Sequence, residues 1–159
     1  MNKFILAISK GFAWLNPILI LLIMTDLILR YIFSFTTIWI VELEWHIFSL
    51  IFLLGGAYTL KKDKHVRVDI IYQSLSSKYK NFIDIIGHLF LLIPWCLVII
   101  ISGIEYTWRS YAIMESSPDP SGLPFRFLIK AIIPISFILV LLQSLAWIFY
   151  ILKTRSKMD

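Results

Sequence analysis

Four apolar runs, each about long enough to cross a bilayer, leave this chain few ways to fold. A hydrocarbon core is about 30 Å thick, so a spanning helix takes about 20 residues. The first run extends from Phe12 to Phe33, broken only by Asn16, Asp26 and Arg30. The others extend from Phe35 to Leu60, Phe82 to Tyr106 and Phe127 to Leu152. Four such spans use up most of the 159 residues and leave no room for a soluble domain. Apolar residues make up 59% and charged residues 16% of the chain, with a mean hydropathy of +0.83. A soluble domain has about 45–50% and about 25% respectively, so composition agrees. The expectation is an all-α integral membrane protein with a single membrane domain, 1–159.

The runs differ in character. Asp26 and Arg30 are four residues apart, on one helix face, and can pair. The Phe35–Leu60 run would be about 39 Å long as a helix, more than the core needs. Its first half carries Glu42, Glu44 and His46 among Trp39, Ile40, Val41 and Trp45. A short interfacial or tilted segment followed by a span over 45–60 accommodates both facts. Gly55 and Gly56 in that span would let another helix approach. The other spans are expected over 12–33, 82–106 and 127–152. Between the second and third lies a charged loop, Lys61–Asp69, and then Ile70–Lys80, which reads as an amphipathic helix at the membrane surface. Asp84 and His88 form a second four-apart pair, expected to lie near the headgroups. Pro94 predicts a kink in the third span. Ser116 to Gly122, with Pro118, Asp119 and Pro120, is turn chemistry.

Basic residues set the orientation. With the N-terminus inside, the inner side holds Lys3, Lys10, Lys61, Lys62, Lys64, Arg67, Lys78, Lys80, Lys153, Arg155 and Lys157. The outer side holds Arg30, Arg109, Arg126 and Lys130; eleven and four together are all 15. Both termini are therefore expected in the cytoplasm. Lys3 and Lys10 before an apolar stretch resemble a signal peptide, but no small-x-small cleavage site follows, so an uncleaved first span is expected. The net charge of +5 reports this topology and implies no nucleic-acid partner.

The same residues argue against several functions. Cys96 is the sole cysteine, so thiol–disulfide chemistry lacks a pair. His46, His65 and His88 fall at different depths, so no two can ligate a haem or metal together, and no cofactor is expected. No nucleophile and base share a level, and catalysis is not expected. An autonomous carrier needs polar groups or broken helices near the midplane. Here the span centres are apolar, with Pro94 and Gln143 the main exceptions, so an autonomous oligomeric transporter or a purely structural membrane protein is the weaker alternative. An accessory subunit that packs against a larger membrane partner and its phospholipids suits rim charges and apolar centres.

Four stretches carry a family resemblance. They are Arg30-Tyr31; Trp39-Ile40-Val41-Glu42-Leu43-Glu44; the run from Gly56 to Lys64 that ends in His65-Val66-Arg67-Val68-Asp69; and Ser117 to Gly122-Leu123-Pro124 before a last span containing Gln143. In this order, and through nearly the whole chain, they resemble the small (DctQ-like) membrane subunit of tripartite ATP-independent periplasmic (TRAP) transporters. Leu43 separates two acids that the family often has adjacent, so either Glu42 or Glu44 could take the family's acidic position. The resemblance implies a non-catalytic subunit of the bacterial inner membrane. It would bind a large membrane subunit that carries substrate and sodium by an elevator movement, and help dock a periplasmic binding protein that delivers an organic acid. The candidates for a subunit or lipid interface are Arg30, Trp39, Glu42, Glu44, His65, Arg67, Asp69, Arg109, Gly122, Pro124 and Gln143; Arg30, Glu42 and Glu44 are expected to serve packing or salt bridges near the outer face, and His65, Arg67 and Asp69 to fix the inner loop.

Overall fold

The computed structural model describes residues 11–12, 14–61 and 77–155, and among them the fold is helical throughout, with no strand. Helix α1 is Leu15–Ile32, α2 is Ile38–Lys61 and α3 is Ser77–Ile86. A π-helical segment, Gly87–Leu92, joins α3 to α4, Ile93–Ala112, and α5 is Phe127–Arg155. Four stretches are long and apolar enough to cross a membrane: Leu15–Ile32, Ile38–Gly56, Phe82–Ala112 and Phe127–Lys153.

The burial pattern is that of a protein dissolved in lipid. Seven apolar side chains are buried among the described residues, Pro134 included, against eight polar or charged ones: Asp26, Glu42, Asp84, His88, Ser110, Ser136, Gln143 and Ser144. Large side chains such as Leu21, Phe52, Phe90, Ile101 and Phe149 face outward. In water such a surface would aggregate. In a bilayer it meets hydrocarbon, and the polar groups turn inward to find partners.

Helix α5 is the spine, packed most extensively on α4 and next on α2, while α1 lies on α2. Gly103 lies tight against α5 in the α4–α5 contact. A β-carbon there would come 3.1 Å from Pro134 Cδ on α5. A Cβ on Gly56 would meet Val140 at an ordinary 3.8 Å, and one on Gly55 would meet nothing within 4 Å. Gly56 thus faces α5 at ordinary contact distance, and the tighter approach is at Gly103.

The second run forms one continuous helix, with Trp39 to Glu44 as the first turns of α2 itself. No Pro or Gly interrupts Ile38–Glu44, and Glu42 is buried rather than solvated, so nothing breaks the helix there. Of the expected surface helix, residues from Ser77 on belong to α3, which runs directly into the third span. Residues 70–76, and with them His65, Arg67 and Asp69, lie outside the described residues.

Pro94 acts through the turn before it. Its ring would press on the carbonyl four residues back in a regular α-helix. Here the preceding turn is widened, and the Ile93 N–H bonds the His88 carbonyl five residues back. Such an insertion absorbs the misfit without ending the helix.

Candidate functional site

The turn chemistry between α4 and α5 builds an ordered loop. Helix α4 closes with Met114 in the left-handed region, φ 47°. The Met114 N–H bonds the Tyr111 carbonyl at 2.9 Å, and the Glu115 N–H bonds the Ser110 carbonyl at 3.0 Å. This is the Schellman pairing, usually built on glycine. Within the loop the Gly122 N–H bonds Asp119 O at 3.0 Å and the Ser117 N–H bonds Leu123 O at 3.1 Å. The Asp119 N–H donates to Ser117 Oγ at 3.2 Å. Finally the Arg126 N–H bonds the Glu115 carbonyl at 2.9 Å, which draws the two ends of the loop together.

This loop sits on Glu42 of α2. Glu42 Oε1 accepts the Ser117 hydroxyl at 2.5 Å, and Oε2 accepts the Leu123 N–H at 2.5 Å. Both carboxylate oxygens are thus satisfied by chain 75 and 81 residues away. Glu42 is 5% exposed, so its charge is desolvated and its hydrogen bonds are correspondingly strong. Arg126 lies near enough to act as a counter-charge, with its guanidinium 5.7 Å from the centre of the Trp45 ring. At the same level the Lys130 ammonium bonds the Glu115 carboxylate and lies 4.1 Å from the Tyr106 ring centre. The Lys130 hydrogen bond, first among the causes, holds Glu115 below the usual carboxylate range. Trp45, Ser49, Tyr106, Glu115, Arg126 and Lys130 border a cavity of about 260 Å³ beneath the loop.

Gly122 fits because it lacks a side chain. An added β-carbon would fall 2.2 Å from Ser117 Oγ and 2.9 Å from Glu42 Oε2. The neighbouring Pro124 is exposed, and Phe125 after it takes φ 60° as the chain turns into α5.

The remaining candidates fall elsewhere. Arg30 Nη2 bonds Asp26 Oδ2 at 2.5 Å, as the four-residue spacing implies. Glu44 does not join Glu42: its charged neighbours are Asp26 and Arg30 of α1. The two glutamates thus serve different contacts, as a separation of about 200° around the helix requires. Arg109 pairs with Glu105 at 2.5 Å on the surface, and Trp39 is exposed.

Gln143 lies 16 residues into α5, roughly 24 Å along the helix from the loop. It is buried beside Ser144, and among the described residues its Oε1 has no partner, nor does the buried Nε1 of Trp147 one turn on. His88 Nδ1 meets Ser144 Oγ at 2.8 Å. His88 is buried at 8% exposure. It therefore joins two helices, a role that the local Asp84–His88 pair did not suggest. Residues of these contacts that the sequence did not single out as candidates include Ser117, Leu123, Arg126, Glu115, Lys130, His88 and Ser144. Glu115 and Lys130 could be read only after the loop was known to bring their helix ends together.

Residues 19–154 match the model of the family described as tripartite ATP-independent periplasmic transporters, DctQ component. No curated protein matches the chain.

Proposed function

This chain belongs to the DctQ component family of tripartite ATP-independent periplasmic transporters, and we propose that it is the non-catalytic brace of such a transporter. It holds a large membrane subunit in place while that subunit moves substrate, and it helps dock a periplasmic binding protein. The observation that carries this reading is the pair of hydrogen bonds from Ser117 and Leu123 to Glu42. They tie the α4–α5 loop to α2, so three spans meet at one fixed end. A brace for a moving partner has to be stiff, and a buried carboxylate with both oxygens occupied is a strong restraint. The apolar faces of the helices are then available to lipid and to the large subunit.

The basic residues favour the bacterial inner membrane with both termini cytoplasmic, by the positive-inside bias. In that orientation the 113–126 loop would face the periplasm, where a binding protein would approach. Substrate uptake is ion-coupled, with sodium and an organic acid as the expected pair. Both would be handled by the other components.

The test is uptake in proteoliposomes holding the large subunit and the binding protein, with and without this chain, and with Glu42→Ala. Uptake should need the chain, and Glu42→Ala should lower both uptake and co-purification of the large subunit. Accumulation of an organic acid by liposomes containing this chain alone would overturn the reading.

A further inference from the structure

The cavity beneath the α4–α5 loop has charge at one end and hydrocarbon at the other. Side chains of α2, α4, α5 and the loop border its 260 Å³ or so. Glu115 and Arg126 stand at the loop end, where the Arg126 N–H holds the Glu115 carbonyl. Ile133 is seven residues beyond Arg126 on α5, and Leu53 eight beyond Trp45 on α2. At about 1.5 Å per residue both therefore lie roughly 10–12 Å deeper in the bilayer. On the α4 side the border is Tyr106, which is half exposed and belongs to the spanning stretch Phe82–Ala112. That side faces lipid.

The charges around the cavity are unequally committed. Lys130 bonds Glu115 and lies against the Tyr106 ring. Glu42 has both oxygens taken by Ser117 and Leu123. Arg126 is close enough to Glu42 and Glu115 for its charge to act on both. Yet among the described residues its guanidinium makes no ion pair and no hydrogen bond, and its contact is the Trp45 ring, 5.7 Å away. A guanidinium is a planar fork of N–H donors that matches the oxygens of a phosphate. Here the fork stands above apolar walls, at the level where a spanning helix ends and headgroups begin.

We propose that this cavity seats one zwitterionic phospholipid bearing a primary ammonium. Its phosphate lies on the Arg126 guanidinium, its ammonium beside the Glu115 carboxylate, and the start of an acyl chain between Leu53 and Ile133. Charge selects the headgroup. Glu42, Glu115, Arg126 and Lys130 sum to zero, so a net anion would leave an unbalanced charge in a poorly solvated place. A headgroup carrying both signs adds none. The apolar depth selects a lipid over free phosphate, which would leave Leu53 and Ile133 without an apolar partner. The volume agrees: pockets for whole small molecules run to about 300–1,000 Å³, whereas a lipid inserts its headgroup and leaves its tails in the bilayer. The site concerns what fills the seam between α2, α4 and α5, and it stands or falls apart from the bracing role.

Native mass spectrometry of the full chain, released from nanodiscs containing phosphatidylethanolamine, phosphatidylcholine and phosphatidylglycerol, tests this. The native chain should retain one phosphatidylethanolamine. Arg126→Gln should weaken that retention about tenfold or more, as loss of charged hydrogen bonds implies. Ile133→Trp, which fills the apolar end without changing charge, should also lower it, and decides the matter if Arg126→Gln fails to fold. Arg109→Gln, outside the cavity, should retain the lipid as the native chain does. Equal retention by a folded Arg126→Gln chain would overturn the proposal, as would preference for phosphatidylglycerol or retention of all three lipids alike. Displacement of the lipid by inorganic phosphate would identify a free-phosphate site instead. Undiminished lipid with lost co-purification of the large subunit in Arg126→Gln would assign the guanidinium to a protein contact and sink the lipid site.

Discussion

Gly122 lies so close to Ser117 that a β-carbon on it would come within 2.2 Å of the Ser117 hydroxyl oxygen, the same atom that donates to Glu42. Two loop positions and one residue 75 positions before Ser117 are therefore one contact. Glu42 needs two donors, Ser117 and Leu123 supply them, and Gly122 lets them come close enough.

The first prediction concerns Gly122→Ala. The methyl group cannot be accommodated without lifting the loop, which would leave Glu42 buried and short of donors. Leaving a buried charge without its partners costs about 3–5 kcal/mol. Thermal unfolding in detergent should show a loss on that order. Glu42→Gln, which removes the charge but keeps an acceptor, should lose less. Equal stability of Gly122→Ala and the native chain would mean that the loop does not sit on Glu42.

A milder change tests one hydrogen bond. Ser117→Ala removes the hydroxyl from Glu42 Oε1 and leaves the Leu123 N–H in place. A hydrogen bond to a charged group contributes about 1.5–3 kcal/mol, and the variant should lose roughly that much in the same unfolding measurement. Limited proteolysis of the 113–126 loop should be faster than in the native chain.

The α4–α5 seam gives a third prediction. Gly103→Ala puts a methyl group 3.1 Å from Pro134 Cδ, and neither the ring nor the helix backbone can yield easily. Overpacking of this kind costs about 1–3 kcal/mol. Gly55→Ala, with open space around it, should be near neutral, and comparison of the two variants locates the tight crossing.

Hydropathy made the four spans legible because the need to keep charge out of a hydrocarbon core acts along the chain, residue by residue. The Asp26–Arg30 pair was legible for the same reason, since four-residue spacing is a local rule. The contacts that define the site were not, because they join residues such as Glu42 and Leu123, or His88 and Ser144, across helices whose pairing no local pattern encodes. The family stretches did point to Glu42 and Gly122, but not to their contact. The separation of roles between Glu42 and Glu44 followed from helix geometry, yet which of them met the loop depended on where α5 lay. Pro94 predicts a local disturbance of the third span, and the form it takes, a widened turn before the ring, is one that a proline signal alone does not specify.

His88 and Ser144 provide a prediction at the other end of the bundle. Their hydrogen bond at 2.8 Å joins the π segment to α5. Interhelical hydrogen bonds in membranes average about 0.6 kcal/mol, because the separated helices find other partners. A double-mutant cycle on His88→Ala and Ser144→Ala should therefore give a coupling of about 0.5–1.5 kcal/mol. Coupling near zero would mean that the two side chains merely share a buried region.

Acid should release the loop, and the sign follows from Glu115. Its carboxyl is held below its ordinary value of 4.5, chiefly by the Lys130 hydrogen bond. A depressed value in the folded state means that the folded chain favours the ionised form more than the unfolded chain does. The resulting stabilisation is fully present above 4.5 and is lost as pH falls through the lower folded value. Protonated Glu115 no longer attracts Lys130 by charge, and the loop end carrying Arg126 loosens from Trp45. Tryptophan fluorescence of the folded chain should thus change on acidification below the ordinary carboxylate range and remain flat at neutral and mildly alkaline pH. Glu115→Gln should remove that part of the acid response and, at neutral pH, resemble the acidified native chain. An acid transition identical in the variant would assign the response to another carboxylate.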